Sequence, residues 1–374
     1  MFHDLKTAGR LKTLTTWNLA NLLPLVSDFK MCRQGVLLSS FRNQICFFDM
    51  YSEFLPTANY NIAVAATSGA GKSFLVQNIL SYVLSVKGRC FVIDLGHSYR
   101  KFCEIVGGTY LEYHSLRLNP FTNIHDINEA SEQIRDLLSV LASPSGVLDD
   151  VQEEYLRQAV MGAWDKKQRK TNIDDIIEAL QELNLDRKDN RIKDLVVLLN
   201  RYSTKGPYPN IFNDYSAIAP DASFIVLELG ELENKPDLMK AVLFALILNI
   251  EEQMYQSPRN QPKMVVIDEA WDWKWKGTGG LQMIPNMARA HGVEMWVQSQ
   301  FPTQMAPTVR ANCQNVFCFL LQEPQAIDWV AKSYGEQFRK VQELKPGQYI
   351  GKRGLDAPFV GWSWFMDNGK FRRA

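Results

Sequence analysis

The sequence predicts an α/β fold with a mostly parallel central sheet, a phosphate-binding loop and an inserted all-helical module. Three observations lead there. Apolar strand-like runs alternate with helical stretches over most of the chain. A strand, a glycine-containing loop and a helix follow one another in "NIAVAATSGAGKSFLVQNIL" at 61–80. A second, fully apolar strand ends in two acids in "MVVIDEAW" at 264–271. Hydrophobic residues make up 46% and charged residues 22%, ordinary values for a globular protein. The net charge is zero, so there is no global electrostatic case for nucleic-acid binding.

Residues 1–60 read as a lead-in of polar segments with one strand at 44–49, "QICFFD". The opening stretch lacks the continuous apolar core of a secretory signal. The core is expected over 61–121 and 216–374. Its first strand is Ile62–Ala66, and Gly69 and Gly71 then supply permissive backbone angles. Phe74, Leu75, Ile79, Leu80, Val83 and Leu84 recur at helical spacing, so a helix starts at about Gly71. Successive backbone N–H groups from Thr67, Ser68, Gly69, Ala70, Gly71, Lys72, Ser73 and Phe74 can then surround a phosphate at a positive helix end. Lys72 can reach β- and γ-phosphates, and the Ser73 hydroxyl can ligate Mg²⁺. Ala66 stands where such loops usually begin with glycine. Its methyl group is tolerable there if φ stays negative.

Further strands are expected at 89–95 and 107–113. From 122 to 215 strand-like runs vanish, and amphipathic stretches such as "NEASEQIRDLLSVLA" predict a helical insertion. Strands return at 222–230, 263–270, 293–300, 315–321, 347–353 and 359–365. The run "AVLFALIL" at 241–248 falls far short of the roughly 20 residues that span a bilayer, and reads as a buried helix. No transmembrane segment is expected. The cysteines at 32, 46, 90, 103, 313 and 318 show no zinc spacing, and a reduced compartment fits them best.

The acids complete the site. Asp268 stands at the carboxyl end of an apolar strand, where parallel sheets bind ligands, and would hold Mg²⁺. Glu269 would polarise the attacking water as general base. Gln298, at the tip of the strand in "ARAHGVEMWVQSQ", can sense a γ-phosphate or hold the water; Gln300 is the alternative. Arg289 and Arg310 are both candidates for a charge supplied to a neighbouring subunit's site. Asp94 is placed either to steer magnesium waters or to cap its loop. Trp271, Trp273 and Trp275 read as a hydrophobic lid or subunit contact. His97, His114, His125 and His291 share no metal spacing, and "WDKKQRK" at 164–170 reads as a solvated face.

These stretches, in this order, resemble the TraC-like ATPases of conjugative type IV secretion systems, within the FtsK–HerA superfamily. "TTWNLANLLPL", "NYNIAVAATSGAGKSF", "FVIDLGHSYRKFCEIVGGTYLEY", "LNPF", "VVIDEAW", "ARAHGVEMWVQSQ" and "LKPGQYIG" carry the likeness. The resemblance is to the carboxy-terminal ATPase part of that family, whose amino-terminal domain is used for docking. The resemblance implies a RecA-like core, ATP and Mg²⁺ as cofactors, and a hexamer of identical subunits. It also implies docking on inner-membrane components of the secretion system, at the cytoplasmic face, and a motor that energises pilus assembly and substrate transfer. Alternatives are a nucleotide-gated assembly scaffold with negligible turnover, or a DNA-pumping translocase. A contact with DNA would require a locally basic surface. By position, Lys72 and Ser73 match the family's phosphate and metal residues, Asp268 and Glu269 its magnesium and water residues. Gln298 and Arg289 match its strand-tip glutamine and the arginine before it. Ala66 and Val297 depart from its pattern.

Overall fold

A computed structural model describes residues 32–40, 44–51, 60–124, 126–143, 148–218, 222–256, 258, 261–268, 293–299, 313, 315–353, 359–362, 364–367 and 370–373, with single residues at 7, 15 and 16. Its centre is a sheet of eleven strands. In chain order these are β1 (Val36–Ser40), β2 (Ile45–Phe48), β3 (Ile62–Ala65), β4 (Arg89–Asp94), β5 (Thr109–Glu112), β6 (Phe224–Glu228), β7 (Lys263–Ile267), β8 (Val293–Ser299), β9 (Asn315–Cys318), β10 (Gln348–Arg353) and β11 (Phe359–Trp362). Their spatial order is β2-β1-β11-β10-β9-β3-β8-β7-β4-β6-β5. From β9 to β5 every pairing is parallel. From β9 back to β2 every pairing is antiparallel. A separate hairpin joins β12 (Trp364–Asp367) to β13 (Lys370–Arg373).

The expected α/β fold with a mostly parallel sheet is borne out, and the reason lies in the strands themselves. β3, β4, β6 and β7 are buried along their whole length, as strands covered on both faces must be. Side chains alternate strictly between the two sides. Val64, Val92, Val226 and Val266 belong to one buried cluster, which also takes in Leu75, Val76, Ile79, Leu80 and Val83 of α1 (Lys72–Ser85). Ala63, Phe91, Ile93, Ile225, Leu227, Val265 and Ile267 belong to the opposite one. β1 and β2 join the main sheet at its antiparallel end, so the described part of 1–60 shares the same architecture.

After α1 come α2 (Arg100–Val106), α3 (Ile127–Ala142), α4 (Asp150–Lys167), α5 (Ile173–Arg187), α6 (Asn190–Leu199), α7 (Pro236–Gln256) and α8 (Pro324–Tyr334). Between β5 and β6 the described elements are all helical. The starts of these helices are written in the sequence. Asp149 and Asn172 make reciprocal capping boxes with Gln152 and Asp175, while Asp126 and Asp189 accept single N–H bonds. α7 is apolar nearly all round because the second cluster surrounds it. Leu238, Ala241–Leu248 and Ile250 are buried among sheet residues and α3–α6 residues alike. The "WDKKQRK" run lies at the end of α4, where three of its four cations have described partners within the chain. Lys166 pairs with Glu182, Lys167 with Asp175, and Arg169 donates to the Ile124 carbonyl. All six cysteines are free and buried. Among the described residues no helix is long and apolar enough to cross a membrane.

Asn119 joins the sheet to the helical segment. It is 2% exposed; its amide nitrogen donates to the Thr171 carbonyl (2.9 Å) and its oxygen accepts from Phe121 N–H (2.9 Å). Asn119→Ala leaves both backbone groups buried without that partner, at a cost of about 1–3 kcal/mol. Thermal unfolding should show a clear drop in Tm. An unchanged Tm would show that this contact does not hold the two parts together.

Candidate functional site

The loop after β3 turns because two of its glycines take backbone angles that side chains disfavour. Gly69 has φ 75° and Gly71 φ 107°. Ala66 is absent from the positive-φ residues, and its methyl is fully buried in the cluster with Val64, Leu75 and Phe319. The position is therefore a packed strand exit rather than a strained turn. Neighbouring segments hold the loop from behind. Thr67 N–H and Oγ1 both donate to the Leu320 carbonyl at 3.0 Å, and Gly347 N–H donates to the Ala70 carbonyl at 2.9 Å. Gly347 belongs to the "LKPGQYIG" stretch, which thus buttresses the loop.

α1 begins at Lys72 with no side-chain cap and no acid in its first turn. Its orphan N–H groups and positive end are open to an anion. Lys72 Nζ lies 2.6 Å from Asp268 Oδ1, with the two side chains only 11% and 4% exposed. Asp268 follows β7 directly, and its own N–H bonds to the Ile93 carbonyl of β4. Because β8 separates β3 from β7, the lysine spans the end of one strand to reach the acid. Register places Gln298 of β8 opposite Val64, on the row beyond the Val297–Ile267 pair.

Thr67–Gly69, Gly71–Phe74, Gln77, Leu95, Gly96, Ser98 and Asp268 line one cleft of about 440 Å³. Thr67, Ser68, Gly69, Gly71, Lys72, Ser73, Phe74 and Asp268 are thus brought together, while Ala70 is buried behind the loop. Ser73 and Asp268 offer a hydroxyl and a carboxylate to that cleft, the hard oxygen donors that Mg²⁺ prefers. Glu269, Arg289, Arg310, Gln300, His125, His291, Trp271, Trp273 and Trp275 lie outside the described residues.

Asp94 caps its loop: its carboxylate accepts from Gly96 N–H and Tyr99 N–H, both at 3.2 Å. Burial, reinforced by the negative charges of Glu228 and Asp268, pushes its pKa up to about 6. Glu228 and Gln77 went unnoticed in the sequence. Glu228 ends β6 without a glycine motif to mark it, and Gln77 is one polar residue on an otherwise ordinary helix.

The sequence matches the TraG P-loop domain family over residues 43–278. Protein TraC of Escherichia coli (strain K12) is 42% identical over 279 residues, which cover 72% of this chain and 32% of TraC. The chain therefore matches about a third of the length of that relative. Among solved structures, VirB4 of Thermoanaerobacter pseudethanolicus superposes with a TM-score of 0.74 at 18% identity, over 88% of this chain and 96% of that one. The plasmid coupling protein TrwB, in complex with the non-hydrolysable ATP analogue ADPNP, superposes with a TM-score of 0.59 at 14% identity, over 81% and 84%. At these identities the two structures share the fold.

Three substitutions test the loop. Gly71→Ala should cost about 1–3 kcal/mol of stability through backbone strain, and its added methyl would lie 3.4 Å from Gly347. Denaturant unfolding should show a larger loss than for Gly69→Ala, whose methyl would meet nothing within 4 Å. Ala66→Gly should change nucleotide turnover by less than about tenfold, or ~1.4 kcal/mol of barrier. A much larger gain would mean that the methyl holds the loop in a poor geometry.

Proposed function

The chain belongs to the TraG P-loop domain family, and from that premise we propose that it is a TraC-like conjugative type IV secretion ATPase that hydrolyses ATP, with Mg²⁺, to energise pilus assembly and substrate transfer. The observation that carries this reading is the buried Lys72–Asp268 pair inside the glycine-loop cleft. TrwB, with the same fold, has been solved with an ATP analogue, which supports a nucleotide as the ligand.

In this reading the loop N–H groups and the α1 terminus bind the phosphates. Lys72 exchanges Asp268 for the β- and γ-phosphate oxygens. That places a cation where charge develops in phosphoryl transfer, and releases the carboxylate. Ser73 and Asp268 would hold the magnesium, which supplies charge neutralisation at the transferred group. Glu269 takes the water's proton, and Gln298 orients the water or reads the γ-phosphate. The helical segment is taken as an insertion over 122–215 in a core of 61–121 and 216–374. Assembly is taken as a hexamer docked through partners on the inner-membrane part of the secretion system.

Lys72→Ala should abolish turnover and weaken ATP binding, because it removes the cation on the β/γ-phosphates. Glu269→Gln should bind ATP normally and release almost no phosphate. Calorimetric titration with ATP and a phosphate-release assay separate the two. Equal loss of affinity in both variants would contradict this division of roles.

An arginine from a neighbouring subunit is typically worth roughly 10³–10⁵ in rate. Specific activity should therefore rise with protein concentration. Inactive Arg289→Ala subunits mixed with inactive Glu269→Gln subunits should regain some phosphate release, and Arg310→Ala should be tried in the same way. Activity that stays flat on dilution, in protein shown to be monomeric, would remove the shared site.

A further inference from the structure

The stretch "DLGHSYRKFCEIVGGTY", residues 94–110, has a narrow spacing that phosphate and metal binding leave unexplained. In the fold its two ends meet over Glu228. The Glu228 carboxylate is 3% exposed and sits at the carboxyl end of β6, next to β4 and β5. One oxygen accepts from Gly230 N–H (2.9 Å). The other accepts from His97 N–H (2.9 Å) and from the Tyr110 hydroxyl (3.2 Å). His97 Nδ1 lies 3.0 Å from that same hydroxyl. His97 Nδ1 also lies 3.4 Å from the Glu228 oxygen. With the tyrosine proton on the carboxylate, the Nδ1-protonated tautomer of His97 can donate to the tyrosine oxygen.

His97 is itself held at φ 54°, in the left-handed region that non-glycine residues seldom occupy. Its N–H bond to Glu228 supports that conformation. The result is a shaped loop. Leu95, Gly96 and Ser98 form one wall of the cleft facing the phosphate loop. Gln77 of α1 ties the wall to the opposite side by donating to the Ser98 carbonyl (3.1 Å). Gly96 and Ser98 remain exposed, while the Glu228 carboxylate that fixes the loop from below is buried.

We propose that Glu228, with Tyr110, is a positioning residue of the nucleotide site: it holds the Leu95–Ser98 wall in the shape that grips a nucleoside triphosphate against the phosphate loop. This rests on the nucleotide reading given above. Glu228 acts through His97 N–H and the loop; among the described residues its hydrogen bonds go to His97, Tyr110 and Gly230, not to Lys72 or Asp268. Its contribution is therefore uniform binding, equal in ground and transition state. Loss of uniform binding raises KM and leaves kcat nearly unchanged. Preorganisation of this kind lowers the ordering cost of binding rather than adding contacts.

The test uses the full chain with ATP and Mg²⁺, and three variants. Tyr110→Phe removes one hydroxyl; Glu228→Gln keeps the shape but cannot accept at both ends; Gln77→Ala cuts the tie on the exposed side. The measurements are calorimetric ATP affinity, KM and kcat from phosphate release, and hydrogen exchange of the peptide spanning 95–99. The expected result is an ATP affinity about tenfold weaker in Glu228→Gln and several-fold weaker in Tyr110→Phe, as for lost hydrogen bonds to a charged group, and several-fold weaker in Gln77→Ala, which loses a neutral one. KM should rise in step, kcat should stay within about twofold, and the 95–99 amides should exchange faster without nucleotide. In the unaltered protein ATP should protect those amides. If Tyr110→Phe and Gln77→Ala bind ATP as tightly as the unaltered chain, the inference is overturned while the nucleotide reading stands. A fall in kcat at constant KM would overturn it as well, by assigning the network to chemistry. Folded, unaltered protein that binds no ATP at all would remove both.

Discussion

A buried lysine on a buried aspartate is costly unless the two charges meet each other or a ligand, and that constraint organises this fold. Taking either charge out of water alone costs several kcal/mol. Lys72 and Asp268 are both nearly inaccessible, and each offsets the other's charge. The pair can form only if the β3 loop and the end of β7 sit at the same edge of the sheet with one strand between them. Parallel pairing of β3, β8, β7 and β4 provides that arrangement. The glycine angles at 69 and 71 aim the lysine, and the Gly347 and Leu320 contacts keep its loop from moving away. A nucleotide fits into this scheme as a competing partner for charges that are already desolvated and oriented.

Among the described residues, the same edge gathers three acids with Lys72. Asp94, Glu228 and Asp268 end three adjacent strands, all of them buried. Backbone N–H groups, a tyrosine and the lysine share the task of stabilising them. The pKa of Asp94, lifted to about 6 by its burial and its two acidic neighbours, registers the strain of that crowding. Such a cluster favours cations, and a divalent ion beside Asp268 would relieve it.

Much of this was legible in the sequence, for physical reasons. β4 and β7 announced themselves because strands buried on both faces must be apolar throughout, and "RCFVID" and "KMVVI" are long enough to show it. The glycine loop was legible because positive φ restricts residue type. α4 and α5 carried their starting points as Asp149 and Asn172 caps. β1, "VLLSS", escaped notice: it is short, its apolar run ends in serines, and its place is fixed by pairing with residues over 300 positions later. Glu228 escaped for a related reason. A lone acid after an apolar run has no local signature, and only the meeting of β4, β5 and β6 gives it His97 and Tyr110 as partners. Asp94 was read two ways, because sequence spacing alone does not distinguish a loop cap from a metal neighbour. The two hydrogen bonds to Gly96 and Tyr99 show the cap.

The central claim is that Lys72 holds Asp268 in place of a nucleotide and exchanges it for phosphate when one binds. A structure of the chain with Mg²⁺ and a non-hydrolysable ATP analogue tests this most directly. The expected result is analogue phosphates within the turn of Thr67–Phe74, with Lys72 Nζ moved from Asp268 onto a phosphate oxygen. An analogue seated elsewhere, or one bound in the cleft with the 2.6 Å Lys72–Asp268 contact unbroken, would contradict it.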